Sequence, residues 1–453
     1  MSLRVAFFTL GCKVNTYETQ SLKGKFEEEG FTVVDFKDSA DAYVINTCTV
    51  THVADRKSRQ AARKAKRTNP HAFVVLTGCY PQAEPEAVSS LSEVDLLLGT
   101  RRRSDLPWLV KESLLKGEYR GNKVVSYNPG EEVEFEELPW VPERGRTRAF
   151  LKVQEGCNQY CSYCIVPVVR GPLRSLPLFK AVEYLHRIAA NGYKEVVLTG
   201  IRLGAYGLDL DPPASLTFLL QEAVKVEGIE RIRLSSIEPQ DFTDDLLVII
   251  SSSYQICSHL HIPLQSGDDT ILAEMGRSYD TSYYKHLIQK VREGKRDVAV
   301  STDIIVGFPG EGEEHFYRSY NFVQECGFSR LHVFKYSPRP NTRAAEMPGH
   351  VDSQTKEERS REMIELGGKL SEQFRSKFLN RSLSVLFEKK VDSRFEADLR
   401  NGGWEEEPDL WEGWTSNYLQ VCAPADEYLH GQIKEVFIEK SRSGYLLGRL
   451  VPR

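Results

Sequence analysis

Three cysteines crowd into eight residues of this chain, Cys157-Asn-Gln-Tyr-Cys161-Ser-Tyr-Cys164. Thiols at that spacing can wrap one metal centre from a single loop. Structural zinc asks for four ligands; no fourth cysteine lies near, so a zinc reading needs a residue from elsewhere, with His261 a candidate. A [4Fe–4S] cluster held by three thiolates instead keeps one iron open to a small chelating molecule. A second set of thiols is dispersed. Cys12, Cys48 and Cys79 each stand directly behind an apolar run, in VAFFTLGCK, AYVINTCT and FVVLTGCY. If those runs are neighbouring parallel strands, the three thiols arrive together at the sheet edge where ligands of such sheets collect. They could hold a second cluster, although each alone also suits a buried strand end as a small hydrophobe. Cys257, Cys326 and Cys422 have no partner at ligand spacing and read as core residues. The odd total of nine argues against a disulfide framework and for a reducing compartment.

The elements that must position these residues are legible as alternation. Val5–Leu10, Ala42–Thr47, Ala72–Thr77 and Val94–Leu98 read as strands, with helices over Glu18–Glu29 and about Val53–Arg67 between them. Strands alternating with helices argue for a parallel α/β sheet. The pattern lapses from Gly121 to Arg148, an acidic, proline-interrupted linker. A second alternation follows, with strands expected at Ala149–Val153, Glu195–Thr199, Arg231–Ser236, His259–Leu264, Ala299–Val306 and Leu331–Tyr336, and helices over Leu178–Asn191, Leu216–Val226 and Ser282–Glu293. Six β/α units fall short of the eight of a closed barrel, so an open, partial barrel is expected. After a polar helix over Ser353–Phe378, the segments Ser382–Lys389, Asn417–Cys422, Gln432–Glu439 and Tyr445–Leu450 read as strands of a small β-barrel. The expected units are therefore residues 1–120, a linker 121–148, a core 149–378 and a β domain 379–453.

With 453 residues, 41% hydrophobic and 27% charged, the composition excludes fibrous and mostly disordered classes. No run approaches the about 18–20 apolar residues that span a bilayer, and the first residues lack the regions of a signal peptide. A cytoplasmic location without membrane partners is expected.

Taken along its whole length, the chain resembles the methylthiotransferase family of radical S-adenosylmethionine enzymes. The resemblance is carried by LGCKVNTYE at Leu10–Glu18, NTCTVT at Asn46–Thr51 and TGCYPQ at Thr77–Gln82. It continues through EGCNQYCSYCIVPVVRGPLRS at Glu155–Ser175, LTGIRLGAYG at Leu198–Gly207, SSIEP at Ser235–Pro239 and HIPLQSG at His261–Gly267. DIIVGFPGE at Asp303–Glu311 and FKYSPRPNT at Phe334–Thr342 complete the core, while TSNYLQV at Thr415–Val421 resembles part of a TRAM domain. The resemblance implies an α/β chain: an N-terminal parallel sheet, a central partial (β/α)6 radical S-adenosylmethionine barrel and a C-terminal TRAM-like β-barrel. It implies two [4Fe–4S] clusters, a radical-forming one on Cys157, Cys161 and Cys164 and an auxiliary, sulfur-carrying one on Cys12, Cys48 and Cys79. Cleavage of S-adenosylmethionine would give the radical that takes hydrogen from C2 of an adenine, and the substrate radical would capture the sulfur. Tyr163 is the aromatic expected before the last cysteine. Gly200, Ser236, Glu238, Gln265 and Asp303 are expected near the cofactor, with Gly307 and Gly310 in a turn by its adenine.

The opening Gly-Cys-Lys-Val-Asn with Glu18 is similar to the branch that modifies N6-threonylcarbamoyladenosine beside the tRNA anticodon. Branches acting on isopentenyladenosine, which usually has Gln-Met in place of Lys13-Val14, or on an aspartate of a ribosomal protein are the alternatives. A non-catalytic iron–sulfur RNA-binding protein is the alternative of a different class. The implied partners are a tRNA anticodon stem-loop, an electron donor such as a flavodoxin or ferredoxin, and a sulfur source. Phosphate contacts are expected from Arg56, Lys57, Arg59, Arg63, Lys64, Lys66 and Arg67, seven cations against Asp55 in a protein of net charge −5. The same pattern also suits a plain solvated helix face. Arg101–Arg103 add charge, and Arg170 and Arg174 are expected to reach the anticodon loop. The C-terminal unit is acidic, much of it in an apparent loop over Asp398–Glu412 that holds Glu405–Glu407 beside Trp404, with Trp411 and Trp414 close by.

Overall fold

Short apolar strands buried on both faces and helices with one apolar stripe account for most of the architecture. The computed structural model describes residues 2–117, 123–125, 134–143, 145–391 and 409–452. Strands β1 (Arg4–Thr9), β2 (Thr32–Val34), β3 (Ala42–Thr47), β4 (Phe73–Gly78), β5 (Leu96–Leu98) and β6 (Lys123–Val125) form one parallel sheet in the order β2-β1-β3-β4-β5-β6. Alternate residues face opposite layers. Val5, Val44 and Val75 pack on α1 (Lys13–Glu28) and α5 (Leu106–Lys116), whereas Ala6, Ile45 and Leu76 pack on α2 (His52–Thr68) through Ala61, Ala62 and Ala65. Two short helices, α3 (Cys79–Ala83) and α4 (Pro85–Ser89), follow β4. The first helix opens at Lys13 rather than at Glu18, because Cys12 occupies its N-cap. The edge strand β2, too short for a periodic signal, is not among the expected elements.

The second unit begins with β7 (Arg148–Lys152) and β8 (Gln154–Glu155), then α6 (Val166–Arg170) and β9 (Arg174–Ser175). It proceeds through α7 (Leu178–Ala190), β10 (Glu195–Thr199), α8 (Leu216–Ala223), β11 (Arg231–Leu234), α9 (Asp244–Ser252) and β12 (His259–His261). Helices α10 (Asp269–Glu274) and α11 (Thr281–Gly294) lead to β13 (Ala299–Val306), α12 (Glu313–Cys326), β14 (Arg330–Lys335) and α13 (Ser353–Ser376). The strands β7-β10-β11 and β12-β13-β14 form two parallel triplets, joined by bridges at Ile232–Ile256 and Ser236–His261 into a six-stranded partial barrel. Its interior joins the largest apolar core, which includes Leu151, Val196, Leu234, Leu260 and Ile304.

The third unit is a closed five-stranded barrel, β15-β16-β17-β19-β18, built from β15 (Ser382–Lys390), β16 (Leu410–Thr415), β17 (Gln420–Pro424), β18 (Ile433–Ser441) and β19 (Leu446–Leu450). Trp411 and Trp414 belong to a strand rather than to the expected loop, and Trp411 is buried in the barrel core. Trp404 and Glu405–Glu407 lie outside the described residues, as do Glu131 and the arginine at 144 of the linker. The small barrel sits on the amino ends of the larger barrel's strands. Arg231 donates to the Trp414 and Ser384 carbonyls at 2.9 and 2.7 Å, Arg233 donates to those of Thr415 and Ser416 at 3.1 and 3.0 Å, and the Tyr418 ring lies 4.8 Å from that of His259. Among the described residues, no helix is long and apolar enough to cross a membrane.

Candidate active site: two thiol triads and a cleft

Cys12, Cys48 and Cys79 follow β1, β3 and β4, which are neighbours in the sheet, and the register places Asn46 opposite Thr9 and Thr77. Three adjacent strands thus deliver three thiols to one edge. Gly11 is required there: its φ is +101°, and a Cβ would stand 2.7 Å from that of Cys48. Helices α1, α2 and α3 all begin at this edge, and α1 has no side-chain cap. The uncapped start of α1 favours a bound anion, as a thiolate-ligated cluster is. Burial pushes the Cys48 thiol up to about 12, a cost that a bound cationic centre offsets by supplying the positive charge the thiolate lacks.

The second triad sits in the loop between β8 and α6. Gly156, with φ +74°, turns the chain so tightly that a Cβ would meet the Pro172 carbonyl at 1.7 Å. The loop is then fixed by its middle. Ser162 donates N–H to the Met275 carbonyl at 2.9 Å and Oγ–H to that of Glu274 at 2.8 Å, while its own carbonyl accepts from Ala344 at 2.8 Å. Tyr163 packs with Ile271, Met275 and Phe308. Arg277, absent from the sequence reading, donates from Nη1 to Cys161 Sγ at 3.2 Å and pairs with Glu238. Burial pushes Cys164 up to about 12. Among the described residues, no three His, Cys, Asp or Glu side chains converge as ligands of one metal ion would. Three thiols without a fourth protein ligand suit a cluster that keeps one iron open. His261 is engaged elsewhere, on Ser301 at 2.9 Å and Asp303 at 3.1 Å. Both triads therefore fit the group: three thiols each, no fourth, with donors aimed at sulfur.

A cleft of ≈190 Å³ opens beside Cys164 of the loop triad and the residues that follow Cys48. Tyr163, Cys164, Gln265 and Asp303 line one side; Val50 and Thr51, which follow Cys48, line another, with Phe334 beside them. Phe334 is exposed. Gln265 holds φ +71°, uncommon outside glycine, because its N–H and C=O are both tied to β13 at Asp303 and Ile305. Gly200, Ser236 and Glu238 follow β10 and β11 at the same carboxyl rim but do not line this cleft, and the Glu238 carboxylate is engaged by Arg277. Gly307 and Gly310 do make a tight turn, with φ +72° and +82°, yet Lys356 methylenes cover Gly307.

The expected RNA contacts divide. Arg56, Lys57, Arg63, Lys64 and Arg67 are exposed on α2. Arg59 is instead bonded to the Tyr80 hydroxyl at 2.6 Å, and Lys66 to Asp95 at 2.8 Å, so these two serve packing. Arg101 and Arg103 are buried, and only Arg102 of that trio is exposed. Arg170 and Arg174 are a plain correction: both are buried, because carboxylates beneath them hold them inward. Arg170 belongs to a buried network with Glu18, Arg103, Lys152 and Glu155 that joins the first two units. Arg339, also absent from the sequence reading, does the same on the other flank, bonding Thr49 at 2.8 Å, Asp55 at 2.8 Å and Glu84 at 2.9 Å. Nothing in its local sequence beyond the SPRPNT setting distinguishes it from a surface arginine.

Residues 4–99 match the uncharacterized protein family UPF0004, and residues 151–323 match the radical SAM superfamily. The chain is 40% identical over 447 residues to the threonylcarbamoyladenosine tRNA methylthiotransferase MtaB of Bacillus subtilis, covering 99% of this chain and 96% of that one. It is 42% identical to the MtaB of Aquifex aeolicus, covering 89% and 98%. It is 34% identical to the tRNA-2-methylthio-N(6)-dimethylallyladenosine synthase of Natranaerobius thermophilus, covering 98% and 96%. Among solved structures, the radical S-adenosylmethionine methyltransferase TsrM of Kitasatospora setae, with cobalamin and a [4Fe-4S] cluster bound, superimposes with a TM-score of 0.56 at 17% identity over 76% of this chain and 77% of that one, a likeness of fold. With identities of 40% and 42% to two tRNA methylthiotransferases along nearly all of its length, the chain belongs to the radical S-adenosylmethionine methylthiotransferase family.

Proposed function

We propose that this enzyme adds a methylthio group at C2 of N6-threonylcarbamoyladenosine beside the anticodon of tRNA. One observation carries the reading: a single cleft is lined by Cys164 of the loop triad and by the residues that follow Cys48 of the strand-end triad. When bound, a [4Fe–4S] cluster on Cys157, Cys161 and Cys164 supplies reductive cleavage of S-adenosylmethionine, and a second on Cys12, Cys48 and Cys79 supplies the sulfur. The chain's own residues do the rest. Gln265 and Asp303 offer polar contacts to the cofactor on the cleft wall, with Tyr163 packed behind the loop. Val50 and Phe334 give the cleft mouth apolar surface, and the exposed Phe334 ring presents a face on which an unpaired base can stack. Arg56, Lys57, Arg63, Lys64 and Arg67 lie on the helix that starts beside Cys48, where phosphates of the anticodon stem would meet them. In this reading residues 1–120 carry the auxiliary cluster and 149–378 the radical chemistry, in the cytoplasm, with the TRAM-like unit from 379 onward seated on the amino ends of the barrel strands. A one-electron donor of the flavodoxin or ferredoxin class and a sulfur source complete the reaction.

Nucleoside mass spectrometry of tRNA from a deletion strain tests the reading. Loss of 2-methylthio-N6-threonylcarbamoyladenosine, restored by the wild-type chain, is expected; loss of the methylthio form of isopentenyladenosine instead would reassign the substrate.

A further inference from the structure

Arg170 ends α6, six residues beyond Cys164, yet its side chain crosses into the first unit, where it is buried. Its Nε lies 3.4 Å from Cys79 Sγ. Nη1 donates to Glu18 at 2.6 Å and to Glu155 at 2.7 Å, and Nη2 donates to Asn15 Oδ1 at 2.6 Å. Asn15 extends the reach. Its Oδ1 lies 3.6 Å from Cys12 Sγ, and its Nδ2 holds the carbonyls of Leu10 and Thr47 at 2.7 and 2.9 Å, just ahead of Cys12 and Cys48. One guanidinium from the loop-triad unit therefore grips, directly or through one amide, all three segments that bear the strand-end triad.

The charge balance explains why such a group is tolerated. Glu18 and Glu155 face Arg170, and Arg103 and Lys152 face those carboxylates in turn. The direction of Nε–H is then the informative feature. A neutral thiol is a weak acceptor, so a buried guanidinium aimed at sulfur is well used only against a thiolate.

We infer that Arg170 is a positioning residue for the strand-end cluster: it holds the Cys79 thiolate, raises the cluster's midpoint potential, and makes assembly of that site depend on docking of the radical unit. The inference rests on the reading of Cys12, Cys48 and Cys79 as cluster ligands. Reduction adds an electron to the cluster, and a cationic N–H donor to its sulfur stabilises the reduced form over the oxidised one, so removing the donor moves the potential downward.

The test uses the full chain with Cys157, Cys161 and Cys164 replaced by Ala, reconstituted anaerobically with iron and sulfide. Iron content and an EPR-monitored redox titration are compared for Arg170, R170K and R170Q. About four irons per chain are expected in the parent; no iron there would remove the second-cluster reading itself. With iron bound, a negative shift in R170Q, a smaller one in R170K and a changed EPR line shape are expected. An unchanged potential and spectrum in R170Q would overturn the inference and reduce Arg170 to a structural staple. If R170Q fails to retain iron, R170K decides alone: it keeps the charge but loses the Nε donor, so an unchanged potential there overturns the inference equally.

Discussion

The two thiol triads are built in opposite ways. The Cys157–Cys164 loop carries its three sulfurs within eight residues, and its shape is fixed by bonds from Ser162 and by the packing of Tyr163 in its own unit. The strand-end triad spreads over residues 12, 48 and 79, so its geometry is a property of three strands in register. It also borrows two buried arginines, Arg170 and Arg339, from the other unit. Each triad has one guanidinium N–H directed at a sulfur, Arg277 at Cys161 and Arg170 at Cys79, but the first comes from within the unit and the second from across a boundary. The loop site draws its anchors, Glu274, Met275, Arg277 and Ala344, from within its own unit. The strand-end site does not.

The largest effect separates the chemistry of the two. Cys157→Ala is expected to abolish cleavage of S-adenosylmethionine, whereas Cys12→Ala is expected to leave cleavage and stop methylthiolation; 5′-deoxyadenosine and product assays read the two steps. Methylthiolation retained in Cys12→Ala would dissolve the contrast. Next comes dependence on docking. Arg339→Met leaves Asp55 and Glu84 without their shared partner, which for a buried pair costs about 3–5 kcal/mol. Denaturant unfolding should show that loss, and iron at the strand-end site should fall further than iron at the loop site.

A pH series should locate the same boundary. Burial alone would push the Glu18 and Glu155 carboxyls up, but Arg103, Arg170 and Lys152 around Glu18, and Lys152, Arg170 and Arg103 around Glu155, hold both below the ordinary range. Such groups contribute stability that is complete above their unfolded value near 4.5 and is lost as pH falls through the lower folded values. The urea midpoint of the apo chain should therefore drop on acidification below that value, and less so in Glu155→Gln. An acid response identical in that variant would place the sensitivity elsewhere. The smallest effect concerns RNA. Reversing Arg63, Lys64 and Arg67 should weaken tRNA binding and flatten its dependence on log salt by roughly 0.7–0.9 for each phosphate no longer neutralised, while Lys66→Gln, whose cation already faces Asp95, should flatten it less.

How much of this was legible in the sequence follows the same division. Local spacing reveals the loop triad, and the strand-end triad is readable because each cysteine stands behind an apolar run. Six β/α units and a small C-terminal barrel are likewise periodic features. What escapes is everything decided by contacts remote in sequence. Arg170 reads as a free cation beside a cluster loop, yet carboxylates at 18 and 155 turn it inward. Arg277 and Arg339 carry no local mark of their partners, which lie 116 residues away at Cys161 and 255 away at Glu84. Residues Leu410–Thr415 sit next to an acidic stretch that masks the alternation of β16, in which Trp411 and Gly413 face inward while Glu412 does not.

The seat of the small barrel has a further consequence, one of length. It caps the amino ends of the strands through Arg231 and Arg233, while both triads lie beyond the carboxyl ends. Strand β13 runs eight residues between those faces, a rise of about 26 Å at roughly 3.3 Å per residue. The two faces therefore stand a full strand's length apart, farther than a lone nucleoside reaches.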